Sequence, residues 1–142
     1  MARIMKKLTA LSRCSFCYRE EMLKPYGLKG KDASFLVELC ACPGLSQEQL
    51  ARRVCTNKSN VTREVAVLEE AGFLTRCCQP EDKRAMMLFP TQKTLDLLPR
   101  IREILSSWSA YMTQDLTPQE RETLDILLAK MMVRADEWME ER

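Results

Sequence analysis

Between Leu45 and Gly72 the chain is punctuated for two short helices in immediate succession, and few folds accommodate that arrangement. Ser46 and Gln49 have capping-box spacing, in which each side chain satisfies the other residue's backbone N–H. Leu45 and Leu50 flank the cap at the spacing of a hydrophobic staple. The helix that starts at Ser46 must end near Val54. A tight turn follows at Cys55 and Thr56, and Thr56 or Asn57 caps a further helix that runs to Ala71. Gly72 is the left-handed residue expected past its end. Two strands come next, residues 74–78 and 85–89. The polar, proline-bearing stretch 79–84 between them reads as a hairpin loop.

The rest of the chain is helical in period. Ile4, Leu8, Leu11, Ser15, Tyr18 and Met22 recur every three or four residues, the mark of an amphipathic helix, and Pro25, Gly27 and Gly30 end it. A second helix covers residues 32–41 with Phe35, Leu36 and Leu39 inward, and stops at Pro43 and Gly44. After the hairpin, Thr91 can cap a helix whose stripe is Leu98, Ile101, Leu105, Trp108 and Met112, with a kink expected at Pro99. The last helix opens on Thr117-Pro118-Gln119-Glu120, a cap with Pro at its first position. Its stripe is Leu124, Leu128, Met131, Ala135 and Trp138. The fold class is therefore mainly α with a small β-wing.

Composition closes off several functions. The chain has no histidine, which removes His-based triads and His-ligated zinc. None of its glycines lies in a phosphate-cradling pattern, and no paired-carboxylate constellation can be argued from spacing. We expect no catalytic residue, no metal and no cofactor. No apolar run reaches the roughly 18–20 residues of a membrane span. Arg3, Lys6 and Lys7 interrupt Ile4, Met5 and Leu8, so no signal core forms and a cytoplasmic protein is expected. The seven cysteines, an odd number, argue against a disulfide framework. They are expected to be reduced and to serve mostly as small apolar residues. Charge is uneven: residues 1–113 carry 18 Lys and Arg against 12 Asp and Glu, and residues 114–142 carry 4 against 8. A mildly basic body with an acidic last helix suits a polyanion on one face.

The helix after the tight turn has two faces. Val61, Val65 and Leu68 point to the core, and Ser59, Thr62, Arg63 and Ala66 point away. Short side chains and one arginine can approach base edges in a major groove about 12 Å wide. Lys58 stands beside a helix N-terminus, which favours phosphate. Ser46 and Asn60 complete the candidate DNA-facing set on the helices. At the hairpin tip, Lys83 and Arg84 can reach the flanking backbone or minor groove, and Asp82 can orient Arg84. An ordinary solvated surface explains each of these pieces singly. Their order, short helix, turn, amphipathic helix, glycine, strand, basic loop, strand, is what carries the reading.

KSNVTREVAVLEEAGFL (residues 58–74), DKRAMMLFPT (82–91) and LLPRI (97–101) resemble the winged helix-turn-helix of MarR-type transcription regulators. The KPYGL loop (24–28) and the terminal helices extend the resemblance over essentially the whole chain. It implies a single domain over 1–142, with the winged helix-turn-helix at about 32–90 and dimerisation helices at about 1–24 and 91–142. It also implies a homodimer on a pseudo-palindromic double-stranded DNA operator. Its function would be repression released by a small-molecule inducer bound between the dimer helices and the DNA lobe. The apolar stripes point to chain–chain burial independently, because one small DNA-binding unit cannot cover them all. One branch of the family senses hydroperoxides through a cysteine in the first helix, where this chain has Cys14 and Cys17. The surrounding SRCSFCYRE does not match that branch. Zinc-responsive members use His ligands that are lacking here. The rival is a winged-helix protein-interaction module that binds no DNA. Its sign would be an apolar exposed face on the fourth helix, and Ser59, Thr62 and Arg63 argue against it.

Overall fold

The computed structural model describes residues 2–78, 81 and 86–142. In chain order the elements are α1 (Ala2–Leu23), a 3-10 turn (Lys24–Tyr26), α2 (Asp32–Ala41), β1 (Leu45–Ser46), α3 (Gln47–Arg53) and α4 (Lys58–Glu70). They continue with β2 (Leu74–Cys78), β3 (Met86–Pro90), α5 (Gln92–Met112) and α6 (Pro118–Glu140). The chain divides into two compact units, one ending at Ser106 and one running from Ser107 to Arg142.

The first unit holds the core. Leu23, Leu36, Leu39, Leu50, Val61, Val65, Leu68, Phe73, Leu74, Leu88, Ile101 and Ile104 are all fully buried. Each contributes about 1.5–3 kcal/mol by leaving water. Leu36 and Leu39 of α2 and Val61, Val65 and Leu68 of α4, all expected inward, are among them, and Phe35 of α2 is buried as well. The two capping-box signals hold as read. Ser46 and Gln49 form the capping box of α3, and Thr117 and Glu120 that of α6. Of the two candidate caps for α4, Asn57 is the one used; its side chain accepts from Asn60 N at 2.8 Å. Gly72 takes a φ of 84°, and the tight turn puts Cys55, which has a Cβ, at a φ of 54°. Thr91 Oγ1 donates to Gly72 O at 2.6 Å, and Thr94 Oγ1 to Phe73 O, fastening the start of α5 to the end of the α4 segment.

The sheet differs from expectation in two ways. It has three strands rather than two, in the antiparallel order β1-β3-β2, with Leu45 and Arg76 paired to Leu88 from either side. β1 is two residues long, too short to show alternation, and it merges into the cap of α3. The second hairpin strand runs one residue further than read, because Leu74 pairs with Pro90. Proline is tolerated there, at the last strand position, since its missing N–H breaks no interior ladder bond. Ala85 lies outside the described residues.

Gly30 explains how the loop before α2 meets α1. A Cβ there would stand 2.9 Å from Phe16 O, and Gly30 N donates to Glu20 Oε1 at 2.6 Å. Only glycine permits that approach.

The cysteine expectation needs correcting. All seven are free, but none is buried: Cys40 and Cys42 are half-buried and the other five are exposed. Cys77 and Cys78 are adjacent on a strand and so face opposite ways, yet both are exposed. β2 is an edge strand whose buried end is Leu74, so its far end has little to pack against on either face. In the second unit α6 has no buried residue, and Leu124, Leu128, Met131 and Trp138 of its stripe are exposed. Among the described residues no helix is long and apolar enough to cross a membrane, and no group of His, Cys, Asp or Glu is gathered to hold a metal ion.

Candidate nucleic-acid interface

α4 separates as its sequence demands, with one exception. Val61, Val65 and Leu68 seat it in the core, while Lys58, Ser59, Thr62, Arg63 and Ala66 are exposed. The exposed side chains are not loose. Arg63 Nη2 donates to Asn60 Oδ1, and Asn60 Nδ2 donates to Thr56 Oγ1 at 3.3 Å. The guanidinium is therefore aimed by Asn60, which the turn holds in place. Thr62 Oγ1 lies 3.0 Å from Gln47 Oε1 and 2.9 Å from Lys58 O, and its single proton serves one of them at a time. Gln47, the first residue of α3, thus joins the exposed face of α4. Sequence reading passed it over. Its position directly after the Ser46 cap was the only available signal, since its partner is remote in sequence.

The remaining candidates are distributed as follows. Ser46 is half-buried. Its hydroxyl oxygen accepts Gln49 N at 3.1 Å and its backbone N donates to Gln49 Oε1 at 2.9 Å, so capping is its visible task. The hydroxyl proton stays available to an acceptor. The wing residues Asp82, Lys83 and Arg84 lie outside the described residues. The base of the wing is tied to α4 by Arg76, whose N, Nε and Nη2 bond Glu69 at 3.1, 3.1 and 2.9 Å. Those bonds hold the Glu69 carboxyl below its ordinary pKa. Arg76 too was missed, because nothing in a strand sequence marks a partner on the preceding helix. Cys14 and Cys17 are exposed on α1, a different element from the α4 face.

The exception on α4 is Glu64, an ionisable residue that is buried, as is Asp32 at the start of α2. Lys31 Nζ lies 2.9 Å from Glu64 Oε2 and Lys29 Nζ lies 3.8 Å from it. Burial by itself would raise the Glu64 pKa; the neighbouring Asp32, the bond from Lys31 and the two lysine charges outweigh it and hold the group low.

The geometry is a helix presenting one aimed guanidinium, hydroxyls and an amide, backed by a shorter helix and followed by a ribbon. A model of the MarR family matches residues 32–86, which span α2 to the start of β3. Over that segment the chain is similar to the MarR family. Across 131 residues it is 24% identical to the uncharacterized HTH-type transcriptional regulator YybA of Bacillus subtilis (strain 168), covering 92% of this chain and 87% of that one. A MarR protein from Peptoclostridium difficile superposes with a TM-score of 0.94 at 25% identity, over 98% of this chain and 92% of the other. A cysteine-to-serine mutant of MarR from E. coli, complexed with operator DNA, superposes with a TM-score of 0.82 at 18% identity, over 91% and 93%. MarR-family members are transcription regulators, not enzymes.

Proposed function

We propose that this chain is a MarR-family regulator, a homodimer that binds a pseudo-palindromic operator and represses transcription until a small-molecule ligand releases it. The observation that carries the reading is the exposed face of α4, where Arg63 is aimed by Asn60 beside Ser59 and Thr62. An arginine so held is suited to bidentate bonding with guanine O6 and N7. Lys58 suits phosphate, and Lys83 and Arg84 would reach the flanking groove, with Asp82 in the role of orienting Arg84. The operator complex of the E. coli relative supports the same use of the fold. The exposed stripe on α6 supports the dimer, because leaving Leu124, Leu128, Met131 and Trp138 wet is costly. The polar α4 face disfavours a protein-interaction module.

The test is electrophoretic mobility shift with the upstream region of the protein's own gene. Binding that weakens steeply with salt is expected; no shift at low salt would remove the reading. Arg63→Ala should weaken binding by about 1–3 kcal/mol and relax sequence preference, and Arg84→Ala should weaken it without breaking the dimer.

A second reading, hydroperoxide sensing, is favoured by the exposure of both Cys14 and Cys17. It requires that hydroperoxide release DNA from the wild type and not from the Cys14→Ser/Cys17→Ser protein. Equal release from both would exclude these thiols.

A further inference from the structure

Asp32 and Glu64 join α2 to the middle of α4, and both carboxyl groups are buried. Asp32 Oδ2 accepts Lys29 N at 2.7 Å, and Glu64 Oε2 faces Lys31 Nζ at 2.9 Å and Lys29 Nζ at 3.8 Å. Each group keeps one buried oxygen, Asp32 Oδ1 and Glu64 Oε1, that no N–H or O–H in the protein satisfies. The two orphaned oxygens belong to one buried cluster joined through Lys29, whose backbone N binds Asp32 and whose Nζ faces Glu64. A bond between carboxyl oxygens needs a proton on one of them, since two ionised carboxylates in contact without water repel. Burial, and then the neighbouring Glu64, push the Asp32 pKa up to about 7, while Asp32 and the two lysines hold that of Glu64 low. The proton therefore resides mainly on Asp32.

We infer that Asp32 and Glu64 share one proton and form a positioning clasp that seats α4 against the start of α2 and loosens when the proton leaves. The α2 side of the clasp is the fixed side. Gly30, beside it, is bonded to Glu20 and packed on the α1 backbone. The charged groups facing the pair are Lys29 and Lys31 from the loop; Glu20 of α1 is engaged with Gly30 N. A divalent cation in place of the proton would meet two ammonium groups. Glu64 directly follows Arg63, so movement at the clasp moves the side chain assigned to base reading. That consequence rests on the DNA-binding function proposed above. The chain has no histidine to mask the effect.

The deciding measurement is carbon-13 NMR of the side-chain carboxyls, with α4 amides followed in parallel, between about pH 4 and pH 8.5. The expected result is a carboxyl step near neutrality that the α4 amides track, and its disappearance in Asp32→Asn, whose amide keeps the hydrogen bond with nothing to titrate. Both carboxyls titrating below about pH 5, or α4 amides unmoved across the step, would overturn the clasp. So would a step abolished by magnesium. The wild-type titration decides even if Asp32→Asn does not fold, and Glu64→Gln should move the step to lower pH. DNA affinity, read by fluorescence anisotropy, should fall at least ~5-fold from about pH 6 to about pH 8 in wild type and stay level in Asp32→Asn. Affinity that is level in both proteins would overturn the positioning role. No DNA binding at any pH, with the carboxyl step and its α4 response intact, would sink the proposed function and leave the clasp supported.

Discussion

Arg63 and Glu64 are adjacent, both charged, and have opposite surroundings: one is exposed and the other buried. The exposure of Arg63 was legible, because Val61, Val65 and Leu68 fix which way α4 faces the core. The burial of Glu64 was not. It stands three residues after Val61, on the apolar side, and what makes that tolerable, Asp32 and Lys31, is remote in sequence. The consequence for stability has a definite sign. The folded-state pKa of Asp32 is raised, so between the ordinary value of 3.8 and about 7 the folded protein holds a proton that the unfolded chain has released. Stability therefore falls as pH rises through that window. Glu64, held low, contributes the opposite trend, lost only at the acid end as pH falls through its depressed pKa. Thermal denaturation above about pH 5 should show a midpoint that declines toward pH 8 in wild type and declines less in Asp32→Asn. Parallel curves would show that Asp32 ionises normally in the folded state.

At the scale of elements, local chemistry was readable wherever it closes within one turn. Both capping boxes and the glycine stop at Gly72 lie where their residues predict. Ser46→Ala removes the acceptor for Gln49 N and should cost about 0.5–2 kcal/mol in urea denaturation. An unchanged midpoint would mean that the cap contributes nothing to α3. Gly30 was legible as a loop residue but not as a contact, since close approach to Phe16 and Glu20 is a tertiary fact. Gly30→Ala should lower the thermal midpoint by displacing the loop from α1, and a neutral result would mean that the loop yields freely. β1 escaped reading because two residues carry no periodicity. The cysteines misled for a different reason: their residue type is usually buried, but in β2 they fall at the open end of an edge strand.

For the whole molecule, the stripes on the terminal helices were plain in the sequence, but a stripe does not state what covers it. On α6 every residue of the stripe is exposed in the single chain. Replacing Leu124, Leu128 and Met131 together by Lys should halve the mass seen in sedimentation equilibrium and weaken operator binding with it. An unaltered mass would place the association surface elsewhere. The sheet has a consequence of another kind. β3 is its middle strand, bonded on one side to the residues that start α3 and on the other to the strand that leaves α4. Thr62 and Gln47 link the same two helices across their exposed faces. A new DNA specificity could not be transplanted by exchanging α4 alone, because its aim is set by parts the exchange would leave behind. The smallest portable reading head is the block from β1 through β3, and chimaeras cut inside it should fold while losing their target preference.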